Sequence, residues 1–494
     1  MLGSNTKLTS VLAAFVILAA CDADAKKIDG DQLFSPQKLV EVRIELPAED
    51  WNKLRVQARN PASVFGGGPV EEDPYSYFKA DIWINGTKIK SVGIRKKGLF
   101  GSADNDRPSL KVKFDEYVDQ DPIDGLSRLT LNNNKQDRSQ LNQFITYKLF
   151  RDAGLHAPRS SLARLTVNGV YLGIYTNVES IKKPFLQNSF GDKTGNLYEG
   201  TLTDFHPKTL DKLEVKTNED NNDRRDIRRL IDLLGADGDL NVDEVGKVIN
   251  LDHFMRFWAI EAMVGFWDGY NSNQNNFYYY VNPADGLGYF IPWGADYTLS
   301  DGGPFAQFSQ QANSAIYAQS ILANRLYRSE GVPERYRETM LKLMDQIWNE
   351  ESLVAEIDRM EQLIEHHLHA SQRDTPQRIE NLRRFIRTRR QELTRELNQW
   401  PATIPTEPRK PMYTVTVGHA KGTFITQWNE KPGSDDAEPG NAELQMTLDG
   451  KVVDLDQITV SAQRLQFPGF GGPPGGPVFG GPPRGPGFGG PPRG

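Results

Sequence analysis

Through the first 180 residues the apolar positions fall mostly in short alternating runs, and from there to residue 400 they fall mostly at helical spacing. The run LVEVRIEL at 39–46 alternates apolar and charged side chains, which predicts a strand with one buried face. A short helix follows at 47–51, with Glu49 and Asp50 in its first turn. Strands are predicted at 77–84 and 89–95. They are joined at Asn85-Gly86, because that pair accepts the positive φ values of a two-residue hairpin. Residues 107–114, RPSLKVKF, place Lys111 and Lys113 on one face of a strand and Leu110, Val112 and Phe114 on the other. A short strand at 129–131 runs into Asn132, Asn133 and Asn134. Residues 137–153 read as an amphipathic helix, capped by Asp137 or Ser139 and closed by Gly154. A second hairpin, 162–167 with 173–178, turns at Asn168-Gly169 and ends at Glu179.

Helices are predicted at 181–190, 223–234 and 251–266, and 333–400 is almost wholly helical, with clear periodicity in 354–367 and 378–397. A proline-bearing linker spans 401–411. Four runs, 413–417, 422–428, 443–448 and 458–465, read as strands of a small β domain. The chain then collapses into Gly, Pro and Phe. Phe470, Phe479 and Phe488 each open a Phe-Gly-Gly-Pro-Pro repeat, and the glycines miss the strict third-position period of collagen. Such a tail has nothing to bury and is expected to be disordered.

The net charge of −7 over 494 residues gives no reason to expect a nucleic-acid partner. A single cysteine excludes an intramolecular disulfide. Its place is informative. Lys7 precedes an apolar run at 11–20, and Leu18-Ala19-Ala20-Cys21 follows, which resembles a bacterial lipobox. A plain secretory signal cut after Ala19-Ala20 is the alternative. Lipidation at Cys21 makes the body a soluble unit held outside the cytoplasm on a membrane of the bacterial cell envelope. The expected organisation is a signal peptide at 1–20, a polar tether at 21–36, a β-rich region at 37–180 and a helical region at 181–400. The linker at 401–411, the β domain at 412–465 and the tail at 466–494 complete it.

Candidate chemistry concentrates in residues 266–300, FWDGYNSNQNNFYYYVNPADGLGYFIPWGADYTLS. A helical run delivers Asp268. An Asn-rich turn leads into an aromatic strand at 277–281, and a second strand at 289–293 delivers Asp296. Asp268, Asn276 and Asp296 thereby offer hard oxygen ligands at the ends of one hairpin, of the kind Mg²⁺ takes alongside substrate phosphates. A buried hairpin with polar turns fits the same residues. The loop from Arg95 to Ser102, followed by the strand carrying Lys111, suits nucleotide phosphates. Lysines that blunt an edge strand fit equally. Other motifs carry less. The glycines at 66–68 lack the Gly-Lys-Ser/Thr ending of a P-loop. The acidic loop at 237–243 has Val242 and Val248 where a calcium loop needs Gly and Glu. His366 and His369 read as a solvated helix face, and the basic run 383–390 as a charged face open to phosphate or anionic lipid.

Several separated segments together resemble the spore coat protein H (CotH) kinases. They are Arg107-Pro-Ser-Leu-Lys-Val-Lys-Phe114, Leu129-Thr-Leu-Asn-Asn-Asn134, 165–175 with Glu179, Gly195-Asn-Leu-Tyr198, and Ile291-Pro-Trp-Gly-Ala-Asp-Tyr297. The likeness runs over about 40–400. It implies an α+β, protein-kinase-like two-lobed fold with a helical C-terminal extension. It also implies ATP-dependent transfer of a phosphoryl group to a protein substrate with Mg²⁺ or Mn²⁺. By position it assigns Asp268 as catalytic base, Asn276 and Asp296 as metal ligands, and Lys111 as the phosphate-contacting lysine with Lys97 and Arg95 behind it. Glu179 falls near the hinge and adenine. The sequence departs from the pattern at three places. Gly294 stands where the family has an aspartate. The 268–276 segment is longer by about two residues, which leaves Asn271, Asn273 and Asn275 as alternative ligands. Asn142-Gln143 replaces an Arg-Glu pair. An active kinase and a pseudokinase or surface binding platform are both compatible with these residues.

Overall fold

The computed structural model describes residues 27–59, 74–98, 102–300 and 314–410, and the backbone of two short strands, Met446–Leu448 and Lys451–Val453. The signal peptide and Cys21, the glycine loop at 66–68, most of the small β domain and the repeat tail lie outside the described residues.

The alternating runs of the first half close into a barrel. Its strands are β1 (Val40–Glu45), β2 (Phe78–Ile84), β3 (Thr87–Lys97), β4 (Ser109–Lys113), β5 (Arg128–Asn132), β6 (Ser160–Val167) and β7 (Val170–Glu179). They follow the order β1-β2-β3-β4-β5-β7-β6. Only the closing pair, β1 with β6, is parallel. The inward set, including Val42, Ile44, Ile82, Ile94, Val112, Leu131 and Leu165, forms one apolar core. Both Asn-Gly turns adopt positive φ, at Asn85 (48°) and Gly86 (85°) and again at Asn168 (49°) and Gly169 (78°). Each turn asparagine also reaches back to β1. Asn85 Oδ1 accepts from Glu41 N at 2.9 Å and Asn168 Oδ1 from Leu46 N at 3.0 Å. Between β1 and β2 lies α1 (Ala48–Val56).

The segment read as tether is tied down where it is described. Leu33 is fully buried, and its carbonyl accepts from Ser161 Oγ (2.6 Å) and Asn177 Nδ2 (3.2 Å). Ile28 pairs with Ile123. Apolar side chains and backbone pairing, invisible to composition, therefore pack 28–34 against the barrel core.

The second half packs helices around a four-stranded sheet of order β11-β10-β8-β9. Its strands are β8 (Asn196–Gly200), β9 (Leu213–Val215), β10 (Phe277–Asn282) and β11 (Leu287–Pro292). The helices are α2 (Asn142–Asp152), α3 (Lys183–Phe190), α4 (Arg225–Gly235), α5 (Val242–Gly246), α6 (Leu251–Met263), α7 (Tyr270–Asn273), α8 (Ile321–Tyr327), α9 (Val332–Ile347), α10 (Glu350–Ile364) and α11 (Thr375–Leu397). The predicted helix at 137–153 starts five residues late. Asp137 instead accepts from Ser139 Oγ (2.6 Å) and caps α2 through Asn142 N (2.7 Å). The α6 helix is buried along nearly its whole length and runs straight at the candidate site.

Within the basic run 383–390 on α11, Arg384 and Arg387 are exposed, while Arg383, Arg389 and Arg390 serve the fold. Arg389 is buried and donates to the carbonyls of Ala262 (2.6 Å), Met263 (3.0 Å) and Ser314 (2.9 Å), closing the C-terminus of α6. Arg383 is shared by Asp358, Glu361 and Glu380, and Arg390 by Glu350 and Asp345. The linker is likewise corrected over 401–410. Asn324 Nδ2 donates to Pro405 O (2.9 Å), Ala402 N to the Tyr327 hydroxyl (2.6 Å) and Arg409 N to Gln319 O (2.8 Å). The segment is a strap across the helical half.

Candidate functional site

At the end of α6 the chain turns through Gly265, at φ 65°, and delivers Asp268. Behind the turn Glu261 is fully buried. It accepts from Tyr270 N (2.8 Å), Asn271 N (2.9 Å) and Asn271 Nδ2 (2.7 Å). That approach requires Gly269, because a Cβ there would collide with the Glu261 carboxylate. The loop is therefore set from below by one carboxylate.

Asp268 is half-buried, and three asparagine amides converge on it. Asn273 Nδ2 (2.5 Å) and Asn275 Nδ2 (3.1 Å) donate to Oδ1, and Asn276 Nδ2 (2.8 Å) donates to Oδ2. A carboxylate accepts about four hydrogen bonds, so roughly one site remains for an incoming hydroxyl. Burial raises its pKa and the three amides oppose that rise.

The alternatives for the Asn ligand separate cleanly. Asn271 is spent on Glu261 and Ser320. Asn273 is spent on Asp268 and Arg409, and Asn275 Oδ1 accepts from Leu202 N. Among the described residues, no other residue donates to Asn276 Oδ1 or to the Asp296 carboxylate, which accepts from its own backbone N–H. Those oxygens and Asp268 form a hard donor set that fits Mg²⁺ or Mn²⁺ held partly by substrate phosphates. Among the described residues no cluster of three His, Cys, Asp or Glu side chains forms a metal cage by itself.

Asp296 is held by α2. Asn142 Nδ2 donates to Thr298 O (2.9 Å) and Asp296 O (3.3 Å), and Thr146 Oγ1 pairs with Thr298 Oγ1 at 2.7 Å. Burial lifts the Asp296 carboxyl to about 6, with Lys97 opposing and Asp268 adding to the rise.

The barrel contributes the cations. Arg95, Lys97 and Lys111 sit on paired β3 and β4, with Arg95 opposite Lys111. Burial lowers Lys97 to about 8 and Lys111 to about 7. Glu199 of β8 counters the shift in both, and Asp296 does so for Lys97. Glu199 already pairs with Lys216 at 2.8 Å. Burial pushes Glu199 up, yet Lys216 and Lys111 outweigh it and hold the group at about 2. One acid thus serves three lysines, Lys97, Lys111 and Lys216. Glu199 directly follows the Gly195-Asn-Leu-Tyr198 segment, and only that adjacency marked it in the sequence. Lys97 donates to Asn132 Oδ1, and Asn132 Nδ2 donates to Gln143 Oε1 at 2.7 Å. A neutral relay to α2 therefore occupies the place where the resemblance led to expect an ion pair.

Glu179 ends β7, where the chain leaves the barrel, but its carboxylate belongs to the fold. Arg159 donates from Nε (3.0 Å) and Nη2 (2.8 Å), and Glu179 is 2% exposed. The Arg159 backbone N–H also donates to it (3.1 Å), so three of its acceptor sites are taken and the group is buried in the barrel, which corrects the expectation for its side chain.

A family profile described as CotH kinase protein matches residues 94–396, more than half of the chain. The chain belongs to the CotH kinase protein family. Two curated relatives come from Rhizopus delemar. Spore coat protein homolog 1 is 23% identical over 234 residues, covering 44% of this chain and 38% of that protein. Invasin CotH2 is 22% identical over 256 residues, covering 47% and 43%. The match thus spans well under half the length of these relatives. Among solved structures, the Helicobacter pylori proinflammatory kinase CtkA aligns over 59% of this chain and 94% of that one, at 10% identity and a TM-score of 0.32. The Shewanella oneidensis HipA, HipB and operator DNA complex aligns over 74% of each chain, at 14% identity and a TM-score of 0.28. Scores of that size do not establish a shared fold. The CotH match covers the last turn-in of β3, the cation strands, the Asp268 loop, Asp296 and nearly all of α11. Among the described residues no helix is long and apolar enough to cross a membrane.

Proposed function

We propose that this CotH-family chain is an envelope-anchored protein kinase with a two-lobed, kinase-like arrangement. It transfers the γ-phosphoryl group of ATP to a hydroxyl of a protein substrate. The observation that carries the reading is the convergence of Lys97 and Lys111, both depressed by burial, on a cleft that also holds Asp268 and Asp296. Lys97 and Lys111 share Glu199, with Asp296 also facing Lys97, and bound β- and γ-phosphates would supply the further negative charge that keeps both amines protonated. Asp268 keeps an acceptor site for the attacking hydroxyl and orients it in line. Asn276 Oδ1 and Asp296 would hold the divalent metal. When bound, the metal neutralises charge on the phosphate oxygens. The lipobox at Cys21 supports anchoring, and Cys21→Ser is expected to move the protein out of the detergent phase.

A second reading, a pseudokinase or surface binding platform, is favoured by the three amides that occupy Asp268 and by Gly294 in place of an acid. The two are separated by incubating the purified full-length protein with γ-labelled ATP and Mg²⁺ or Mn²⁺. Asp268→Ala and Asp296→Ala run alongside. Metal-dependent labelling lost in both variants upholds the kinase. Absence of labelling, together with no thermal shift by nucleotide, leaves the platform.

A further inference from the structure

Arg409 lies beyond the 94–396 family match, yet it reaches the loop that carries Asp268. Its backbone is fixed on both sides. Its N–H donates to Gln319 O at 2.8 Å, and its carbonyl accepts from Gln274 Nε2 at 3.1 Å. The strap that delivers it is held further back by Asn324, Arg328 and the Tyr327 hydroxyl. The Arg409 guanidinium donates to Asn273 Oδ1. Asn273 in turn donates Nδ2 to Asp268 Oδ1 at 2.5 Å.

An amide side chain has an acceptor end and a donor end, and only its partners decide which faces where. A carboxylate alone already favours the donor end. A cationic donor on the opposite side fixes that orientation and holds the side chain in place. Without it, Asn273 is free to swing away or to turn its oxygen toward Asp268, and one of the three amides orienting the carboxylate is lost.

We propose that Arg409, carried by the 401–410 strap, is a positioning residue. It locks Asn273 and through it the Asp268 carboxylate, so the functional unit extends past the family domain into the strap. This rests on the kinase reading for its catalytic consequence, while the structural consequence is independent of it. The strap touches the loop at Asn273 and Gln274 and, among the described residues, forms no hydrogen bond with Lys97, Lys111 or Asp296. The effect therefore belongs to turnover and not to nucleotide binding.

The test compares full-length parent, Arg409→Met, Arg409→Lys and the exposed-neighbour control Lys410→Met. Misplacement of a reacting group by a fraction of an ångström to about 1 Å costs ten- to roughly hundredfold in rate. The expected result for Arg409→Met is a kcat loss in that range with KM for ATP changed by less than about twofold, partly restored in Arg409→Lys. Hydrogen exchange is expected to quicken across 269–277 and not in the barrel. A kcat for Arg409→Met within about twofold of the parent's, with unchanged exchange, overturns the proposal. So does exchange that rises equally in the barrel. If the parent transfers no phosphoryl group, the kinase reading falls on its own. The exchange arm then decides alone: quickening confined to 269–277 upholds the lock, and unchanged exchange removes it.

Discussion

A Cβ placed on Gly294 would lie 2.6 Å from Oδ1 of Asn276 and 2.8 Å from its Cγ. Gly294 also sits at φ 56°, a left-handed conformation that side chains resist. The missing aspartate at this position is therefore no isolated loss. Asn276 occupies the space that the side chain would need, and its free amide oxygen faces the same cleft. The expected outcome of Gly294→Asp is loss of function and not a gain. Strain and collision together are expected to cost about 1–3 kcal/mol of stability. Urea titration measures that cost, and labelling from γ-labelled ATP reads activity. A more active Gly294→Asp enzyme would show that the site lacks a carboxylate after all.

Glu199→Gln tests the acid shared across the cleft. Lys216 would keep only its exposed partner Glu214, and Lys111 would lose the charge that raises its pKa. Breaking a buried pair from one side costs about 3 kcal/mol or more, and the retained Glu214 pair brings that to about 1–2 kcal/mol. The expected result is a urea midpoint lowered to that extent, together with weaker ATP binding by thermal shift. Lys111→Met is expected to weaken ATP binding by about tenfold or more with a smaller stability loss, since it removes a desolvated charge as well as a contact. ATP binding unchanged in both variants would remove the cation cluster from the nucleotide site.

The strands of the barrel were legible because each buries one face, and period-two alternation is a local property. Closure was not legible, since the parallel pairing of β1 with β6 joins residues more than 120 positions apart and leaves no local trace. In the site, Asp268, Asn276, Asp296, Lys97 and Lys111 stand in recognisable segments. Their supports do not. Glu261 looks like any helix residue, Gln143 drew notice only as a departure from an Arg-Glu pair, and Arg389 only as one of a basic run, so their hydrogen-bonding roles were not legible. The strap at 401–410 was hidden for the opposite reason. Its prolines spell a linker, while backbone carbonyls of Pro405 and Arg409, which every sequence has, hold it down. Glu179 shows the converse error, a residue in a recognisable segment whose side chain serves the fold.

Glu179→Gln is accordingly expected to act on stability alone. Arg159 would keep one carbonyl acceptor and its ion pair with the exposed Asp31, and lose the buried ion pair to Glu179, which is 2% exposed. The expected cost is about 2–3 kcal/mol, toward the low end for buried pairs because Arg159 is partly open to solvent. ATP affinity by thermal shift, corrected for the lower starting temperature, should match the parent's. A selective loss of nucleotide binding at unchanged stability would return Glu179 to the adenine site.

Acid sensitivity should come from a histidine pair and not from the cleft. His253 on α6 is 3% exposed, and neither ring nitrogen has a partner among the described residues. It stacks on His156 at 5.6 Å and meets the edge of Tyr289 at 5.1 Å. Burial lowers both histidines, His156 to about 4, and Arg256 lowers them further. In the unfolded chain each titrates near 6.5. The folded state therefore excludes a proton that the unfolded state accepts below that pH. Stability is full above about 6.5 and falls as the pH drops below it, by about 1.4 kcal/mol per pH unit for His253 while it stays neutral. Melting temperatures from pH 7.5 to 4.5 check this, with His253→Phe as the comparison. The variant keeps an aromatic ring at the site and should show a shallower acid decline. Parallel declines in the two proteins would place the acid sensitivity elsewhere.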